Sequence, residues 1–413
     1  IWNPVKETCE ANLIAGHVSR GIYGNCGTAP LVLPNGNIFS WQGDFRLWNA
    51  AGQKIAQIDD KNPSPELWKI VQEVAYVNES IFSDRGKIGA FALPNNRILT
   101  WSGKRDMQIF CGNSLEHIGY LKGSQGTNNY DSSLCGKIGE PLVLSDGNIL
   151  TYGEDIRIWN PNTLELLHTL PGYDNGLIKD VIELPDGSIV SLAGAKDEDD
   201  DIRLWTWETG ECLRQWRDPI RTSDRLEPLA DGRFISFSRQ CHSRIYPNPG
   251  EINLWDPEIE ERIATFAEHT DSIYGVTVLP SGQILSWSQD KTLRLWDVSG
   301  IDSIANYEAK EPAVIGVISL PGNRILLRDN EQPVMTVLDT ATGEPAYGIE
   351  GHDSPAMGAL SLPDGRVLSW GGDLRIWDED KLILNKLSPG NSGPSNCWVG
   401  PDGQILTAYF DDS

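Results

Sequence analysis

The chain is 413 residues long, carries 41 Gly, 25 Pro and 15 Trp, and has a formal net charge of −24. An excess of carboxylates this large excludes nucleic acid and anionic membrane as principal partners, since both are held through Lys and Arg. No apolar run reaches membrane-spanning length, and the seven Cys (9, 26, 111, 135, 212, 241 and 397) form no CxxC pair, which points to isolated thiols in a reducing, cytoplasmic compartment.

The first element along the chain is an aromatic anchor, Trp2, followed by an apolar run. A repeating unit begins at residue 16. Its cleanest copy is His269 to Asp297, where three alternating apolar runs are separated by turns at 280–282 and 289–291, and a fourth run, Ser303 to Tyr307, completes a four-stranded meander of strands a, b, c and d. In chain order the predicted units are 16–58, 81–122, 137–171, 176–217, 223–267, 268–309, 310–350 and 351–388, and a ninth is assembled from 389–413 plus 1–15. Between the first two lies an insertion, 59–80, in which Ser64 can cap and Pro65 can open a short helix with Leu67, Ile70, Val71, Val74 and Ala75 on one stripe.

Two intervals repeat throughout. Strand b opens at Ile38, Ile98, Ile149, Ile189, Phe234, Ile284, Ile325, Val367 and Ile405, each with a Pro, Ser or Ala four residues earlier. Strand c ends on an anchor at Trp48, Phe110, Trp159, Trp205, Trp255, Trp296, Leu338, Trp377 and Trp2, and the last large apolar residue of strand d follows 10 or 11 residues later. Phe110 and Leu338 break the Trp pattern, so the second and seventh copies are degenerate. One such sheet cannot bury both faces alone and must stack on its copies. The C-terminal end supplies strands a and b without c, and the N-terminal end supplies c and d. The spacing from Ile405 across the termini to Pro4 matches that from Ile149 to Pro161. The termini therefore complete one shared unit, which removes the open edges of a linear stack. The predicted fold is all-β: a closed β-propeller of four-stranded antiparallel blades, nine in number, or eight if a degenerate copy is not a blade.

His269, Ser286 and Asp290 invite a hydrolase reading. The set recurs as His17, Ser40, Asp44 and as His352, Ser369, Asp373, each followed by a Trp (Trp296, Trp48 and Trp377), with partial copies such as Thr151, Asp155 and Trp159. A catalyst is needed once, a packing device in every unit, and no Gly-x-Ser-x-Gly elbow accompanies these serines. No catalytic residue, metal ligand or cofactor is assigned: P-loop and dinucleotide fingerprints are absent, and the run at Asp197, Asp199, Asp200 and Asp201 lacks the Gly and Glu of a calcium loop.

The segment Leu293 to Asp297 (Leu-Arg-Leu-Trp-Asp) and the pair Gly351, His352 resemble the WD40 repeat signature, and the resemblance extends over essentially the whole chain. It implies that the His–Ser/Thr–Asp–Trp sets are buried hydrogen-bond networks tying the d–a loop to strands b and c. The absence of catalytic constellations, together with one-sided growth of the loops, leads to the expectation of a non-enzymatic scaffold or sensor, or one such domain of a larger polypeptide, that binds a protein or peptide.

Length variation indicates where such a partner would bind. Turns a–b and c–d are nearly constant, whereas the interval from the end of strand d to the next strand b grows from a minimum of 18 residues to 25, 40 and 28 in the first three units, and b–c connections grow at 194–201 and 239–250. These two loop classes share one face of a propeller. Candidate partner contacts there are Trp68, Asp197, Asp199, Asp200, Arg239, His242, Arg244, Ser272, Tyr274 and Gln289, with acidic and basic runs side by side. The strand-b aromatics Trp41, Trp101, Tyr152, Phe237, Trp287 and Trp370 give two alternatives, packing between blades or an aromatic-lined mouth for a glycan or small ligand. An enzyme assembled from several loops is the third reading.

Overall fold

A computed structural model describes residues 2–3, 8–9, 31–41, 45–58, 89–102, 105–122, 141–173, 177–194, 200–218, 223–238, 250–259, 261–299, 302–308, 316–328, 333–342, 344–350, 352, 356–387, 394–399 and 405–409. The predicted helix at 64–75, with Trp68, lies outside them. Among the described residues the one helical turn is Pro94–Asn96, and everything else regular is strand.

Short alternating runs punctuated by Pro-x-Gly turns cannot form long elements, and the described residues form nine four-stranded antiparallel sheets, numbered 1 to 9 here in the order of the nine predicted units. Sheet 6 shows the plan: Ile273–Val278 (strand a), Ile284–Ser288 (b), Thr292–Asp297 (c) and Asp302–Glu308 (d) pair in sequence order. Its a–b turn closes with Gly282 at φ +83° and its N–H donating to the Leu279 carbonyl. That left-handed backbone explains why glycine recurs at this point. In sheets 1, 3, 4, 6, 7 and 8 the c–d ladder slips by one residue at the anchor itself, for instance between Leu295 and Trp296. A bulge there increases local twist and turns the anchor side chain inward.

The sheets stack through shared cores. Eight apolar clusters are present, and each draws residues from two successive sheets, from the first and second (Phe39, Leu47, Ile98, Phe110) through to the eighth and ninth (Leu368, Trp370, Cys397, Ile405). Both faces of an interior sheet are thus covered by its neighbours, and removal of apolar surface from water is the main driving term. Polar ties reinforce the stack at the turn face: Arg97 donates to the Pro161 carbonyl (2.6 Å), Arg233 to that of Val298 (2.8 Å), and Asn37 to that of Gly112 (2.9 Å).

The ninth sheet joins the chain ends. Pro394–Val399 and Ile405–Tyr409 supply its first two strands, and Trp2–Asn3 and Thr8–Cys9 the others, with Trp2 opposite Ile405 and Cys9 opposite Trp2.

Candidate functional site on the b–c and d–a loop face

Strand b ends at this face, and immediately before its aromatic residue sits the site's recurring hydroxyl or its apolar substitute. In sheet 6 the Trp296 indole N–H donates to Ser286 Oγ (2.8 Å), Ser286 Oγ lies 2.7 Å from His269 Nε2, and His269 Nδ1 lies 2.9 Å from Asp290 Oδ2. Burial holds the His269 pKa below its ordinary value, against the pull of Asp290, so the ring is neutral at physiological pH. The consistent proton arrangement is then Nδ1–H donating to the carboxylate and Ser286 O–H donating to Nε2. Burial pushes the Asp290 carboxyl up, but hydrogen bonds from Thr292, His269 and the Thr270 N–H outweigh it and leave the group more acidic than usual. Ser286 is fully buried. Its oxygen is occupied on both sides, which is the geometry of a tie between loop and strands.

Sheet 8 repeats the arrangement: Trp377 N–H to Ser369 Oγ at 2.7 Å, Ser369 Oγ to His352 Nε2 at 2.7 Å, and His352 Nδ1 2.7 Å from Asp373 Oδ1, with Arg375 also on Asp373. In sheet 1 the Trp48 N–H reaches Ser40 Oγ at 3.0 Å, and His17 and Asp44 lie outside the described residues. Trp159 donates to Thr151 Oγ1 at 2.9 Å, and Asp155 is paired with Arg157.

Two versions of the network escaped the sequence reading. In sheet 4 the place of the imidazole is taken by Tyr173, whose hydroxyl lies 2.7 Å from Ser191 Oγ and donates to the Ser191 carbonyl, while Trp205 N–H donates to the same Oγ. The Arg203 guanidinium lies 4.0 Å over the Tyr173 ring, a cation–π contact. In sheet 5 Asp218, fully buried, accepts from Ser236 Oγ, from Ser223 Oγ (3.0 Å) and from Asn253 Nδ2 (2.8 Å), and Trp255 N–H completes the set on Ser236 (3.0 Å). The common requirement is an acceptor for the strand-b hydroxyl, whichever residue type supplies it. The findable signal was separation: His269 and His352 lie 17 residues before their serines, and Tyr173 and Asp218 lie 18 before theirs. Sheet 7 solves the problem by deleting both partners. Leu327 stands where the hydroxyl would be and Leu338 where the Trp would be, and both are buried.

The strand-b aromatics pack between sheets. Tyr152, Phe237 and Trp370 are buried in the clusters joining sheets 3–4, 5–6 and 8–9, and Trp101 and Trp287 lie half-buried against clusters 2–3 and 6–7. Trp287 and Trp370 lie flat on strand-a glycines: a Cβ at Gly275 would fall 2.2 Å from the Trp287 ring, and one at Gly358 would fall 2.1 Å from Trp370. In sheet 7 Arg328 replaces the aromatic, stands over Gly316 and donates to the Ala356 carbonyl at 2.9 Å. The side chain of Trp41 is outside the described set.

Of the candidate partner contacts, Trp68, Asp197, Asp199, Arg239, His242 and Arg244 lie outside the described residues, and Asp200 is described only as the first residue of Asp200–Thr206. Ser272 is buried, with its carbonyl accepting the Gln289 N–H. Tyr274 is half-buried and Gln289 exposed. Beside the elaborated loops, strand a of sheet 4 carries Asp180, whose Oδ2 accepts the Leu226 N–H of sheet 5 at 2.9 Å. Burial raises its pKa to about 6, against the lowering effect of that bond and of Arg225. Among the described residues no cluster of His, Cys, Asp or Glu could hold a metal ion, and no helix is long and apolar enough to cross a membrane.

Comparison with known proteins adds the following. Residues 260–297, the c–d end of sheet 5 and most of sheet 6, match the family model described as WD domain, G-beta repeat. No curated protein matches the chain. Among solved structures it is similar to the computationally designed Ika8 protein, at a TM-score of 0.52 and 16% identity over 79% of this chain and 96% of that one, a likeness of fold alone. It is more loosely similar to a chain of the Mitotic Checkpoint Complex, at a TM-score of 0.43 and 17% identity over 63% of this chain and 81% of that one. The matched stretch contains Trp296, Ser286, His269 and Asp290, the four residues of the network above, so residues 260–297 carry a WD40 repeat.

Proposed function

We propose that the nine sheets close into a single nine-bladed propeller spanning 1–413, and that it serves as a non-catalytic scaffold or sensor whose b–c and d–a loop face binds a protein or peptide. The observation that carries this reading is the one-sided variation in loop length. The d–a connection between the first two sheets carries the insertion 59–80 and the b–c connections grow at 194–201 and 239–250, whereas the a–b and c–d turns stay nearly constant, and binding residues gather on loops held by a rigid frame. The buried state of Ser286 and Ser369 supports the non-catalytic part, because a nucleophile must meet its substrate. Commitment of the strand-b aromatics to packing removes the main support for a glycan site.

A pull-down comparing the whole chain with a variant trimmed at 60–80, 195–200 and 240–248 tests the proposal. Loss of bound protein with an unchanged melting temperature is the expected result. Equal capture by both forms would overturn it.

A further inference from the structure

Strand d is the edge strand of sheets 2, 3 and 4, and where each c–d ladder slips one of its residues has no counterpart on strand c. In sheet 2 this is Ile118, between His117 opposite Phe110 and Gly119 opposite Ile109. In sheets 3 and 4 it is Leu167 and Leu213. A bulge leaves the extra residue outside the ladder, and the three side chains are 36%, 36% and 48% exposed. Each stands two residues after a glutamate, Glu116, Glu165 and Glu211, and all three glutamates are exposed as well. Three consecutive sheets therefore present the same pairing of acid and aliphatic, beside the c–d turns and away from the b–c and d–a loops.

These pairs belong to one continuous arc. Leu164, in the c–d turn of sheet 3, lies over Gly119 of sheet 2, where a Cβ would fall 2.2 Å from its Cδ1. Half-buried Trp207, in the c–d turn of sheet 4, has its ring 5.9 Å from that of His168 in sheet 3. Exposed apolar groups gathered in this way mark a contact surface.

Charge selects what covers it. The stretches that build the arc, 111–121, 159–170 and 206–213, hold four Glu and no Asp, Lys or Arg. The fourth, Glu208, is exposed next to Trp207, and none of the four carboxylates has an ion-pair partner among the described residues. Two cations border the arc and both are committed elsewhere. Arg97 donates to the carbonyls of Pro161 and Asn162, and Arg214 stands opposite Leu204, a residue of the core between sheets 4 and 5. Aliphatic side chains set among open carboxylates complement a segment that is apolar and basic, and like charge opposes a second copy of this acidic chain. We infer that the strand-d arc of sheets 2 to 4 docks a basic amphipathic segment of a partner protein, its aliphatic side chains against Ile118, Leu167 and Leu213 and its Lys or Arg beside the three glutamates. This surface is separate from the loop face and stands independently of that reading.

The probes are three fluorescein-labelled peptides: a helix with a Leu face and a Lys face, its Leu and Glu counterpart, and a scrambled Leu and Lys peptide of the same composition. They are titrated by anisotropy against the full chain, the loop-trimmed variant, I118S/L167S/L213S and E116Q/E165Q/E211Q, with the melting temperature recorded for each. All six substituted side chains are exposed, so the melting temperatures should stay close to the parent's. The amphipathic Lys peptide is expected to bind at least tenfold tighter than the other two. The serine and glutamine variants are each expected to lose at least tenfold, and the loop-trimmed variant to retain affinity. Equal binding of the scrambled peptide, or binding indifferent to either triple variant, would show attraction to net charge alone and overturn the inference. Binding lost on loop trimming, or absent for every peptide, would overturn it as well. Sedimentation velocity of the chain alone supplies the last arm: a dimer abolished by I118S/L167S/L213S would make a second copy the occupant and overturn the proposed partner.

Discussion

Ser286→Ala tests how much the buried networks contribute. Removing the hydroxyl takes away the acceptor of the Trp296 N–H and the donor to His269 Nε2, both at fully or almost fully buried positions. Each stranded group costs about 1–3 kcal/mol, so the substitution should destabilise by about 2–6 kcal/mol. Trp296→Phe removes only the N–H and some ring volume, for about 1–3 kcal/mol. In the double variant the indole no longer lacks its acceptor, so the combined loss should fall short of the sum by about 1 kcal/mol or more. Sheet 7 carries both deletions already, at Leu327 and Leu338, within a packed core. Urea unfolding followed by far-UV circular dichroism gives the global numbers, and amide exchange of strands Ile284–Ser288 and Thr292–Asp297 gives the local ones. Strict additivity, or a Ser286→Ala cost below about 0.5 kcal/mol, would refute the reasoning.

Three further outcomes follow from the same geometry. Asp218→Ala strands Ser223, Ser236 and Asn253 at once and should cost more than Tyr173→Phe, which removes one hydroxyl from Ser191; denaturant midpoints of the two variants decide the order. Gly358→Ala drives a methyl into the Trp370 ring and should cost about 1–3 kcal/mol, with a large part recovered in Gly358→Ala/Trp370→Leu; thermal melts of both read this out. For Asp180 the folded pKa of about 6 lies above the ordinary 3.8, so the folded state holds the proton more tightly. The associated stability is complete below pH 3.8 and is lost as pH rises through 6. Asp180→Asn keeps an acceptor for Leu226 N–H and cannot ionise, so its unfolding midpoint should vary less over that window than the parent's.

The all-β, four-strand unit was legible because its constraints are local and periodic. Alternation marks the strands, and the Pro-x-Gly turn fixes where Ile284 or Val367 begins strand b. The pairing of Trp2 with Ile405 was legible because a constant interval can be counted across the termini. Asp218 and Tyr173 were hidden because the recurring residue type is His, whereas the physics asks only for an acceptor at a given place. The pairing of Gly275 with Trp287, and of Gly358 with Trp370, depends on cross-strand register that a linear pattern does not contain.

The ninth sheet, woven from both ends of the chain, makes the order of the repeats a matter of convention. A polypeptide whose ends are neighbours in one ladder can be joined there and opened elsewhere, for instance in the turn at 340–344, without a change in any strand's partners. Cutting at a unit boundary while leaving the termini apart instead produces two unfinished sheets. Fragments of this chain should therefore be designed to keep Trp2–Asn3 and Ile405–Tyr409 together.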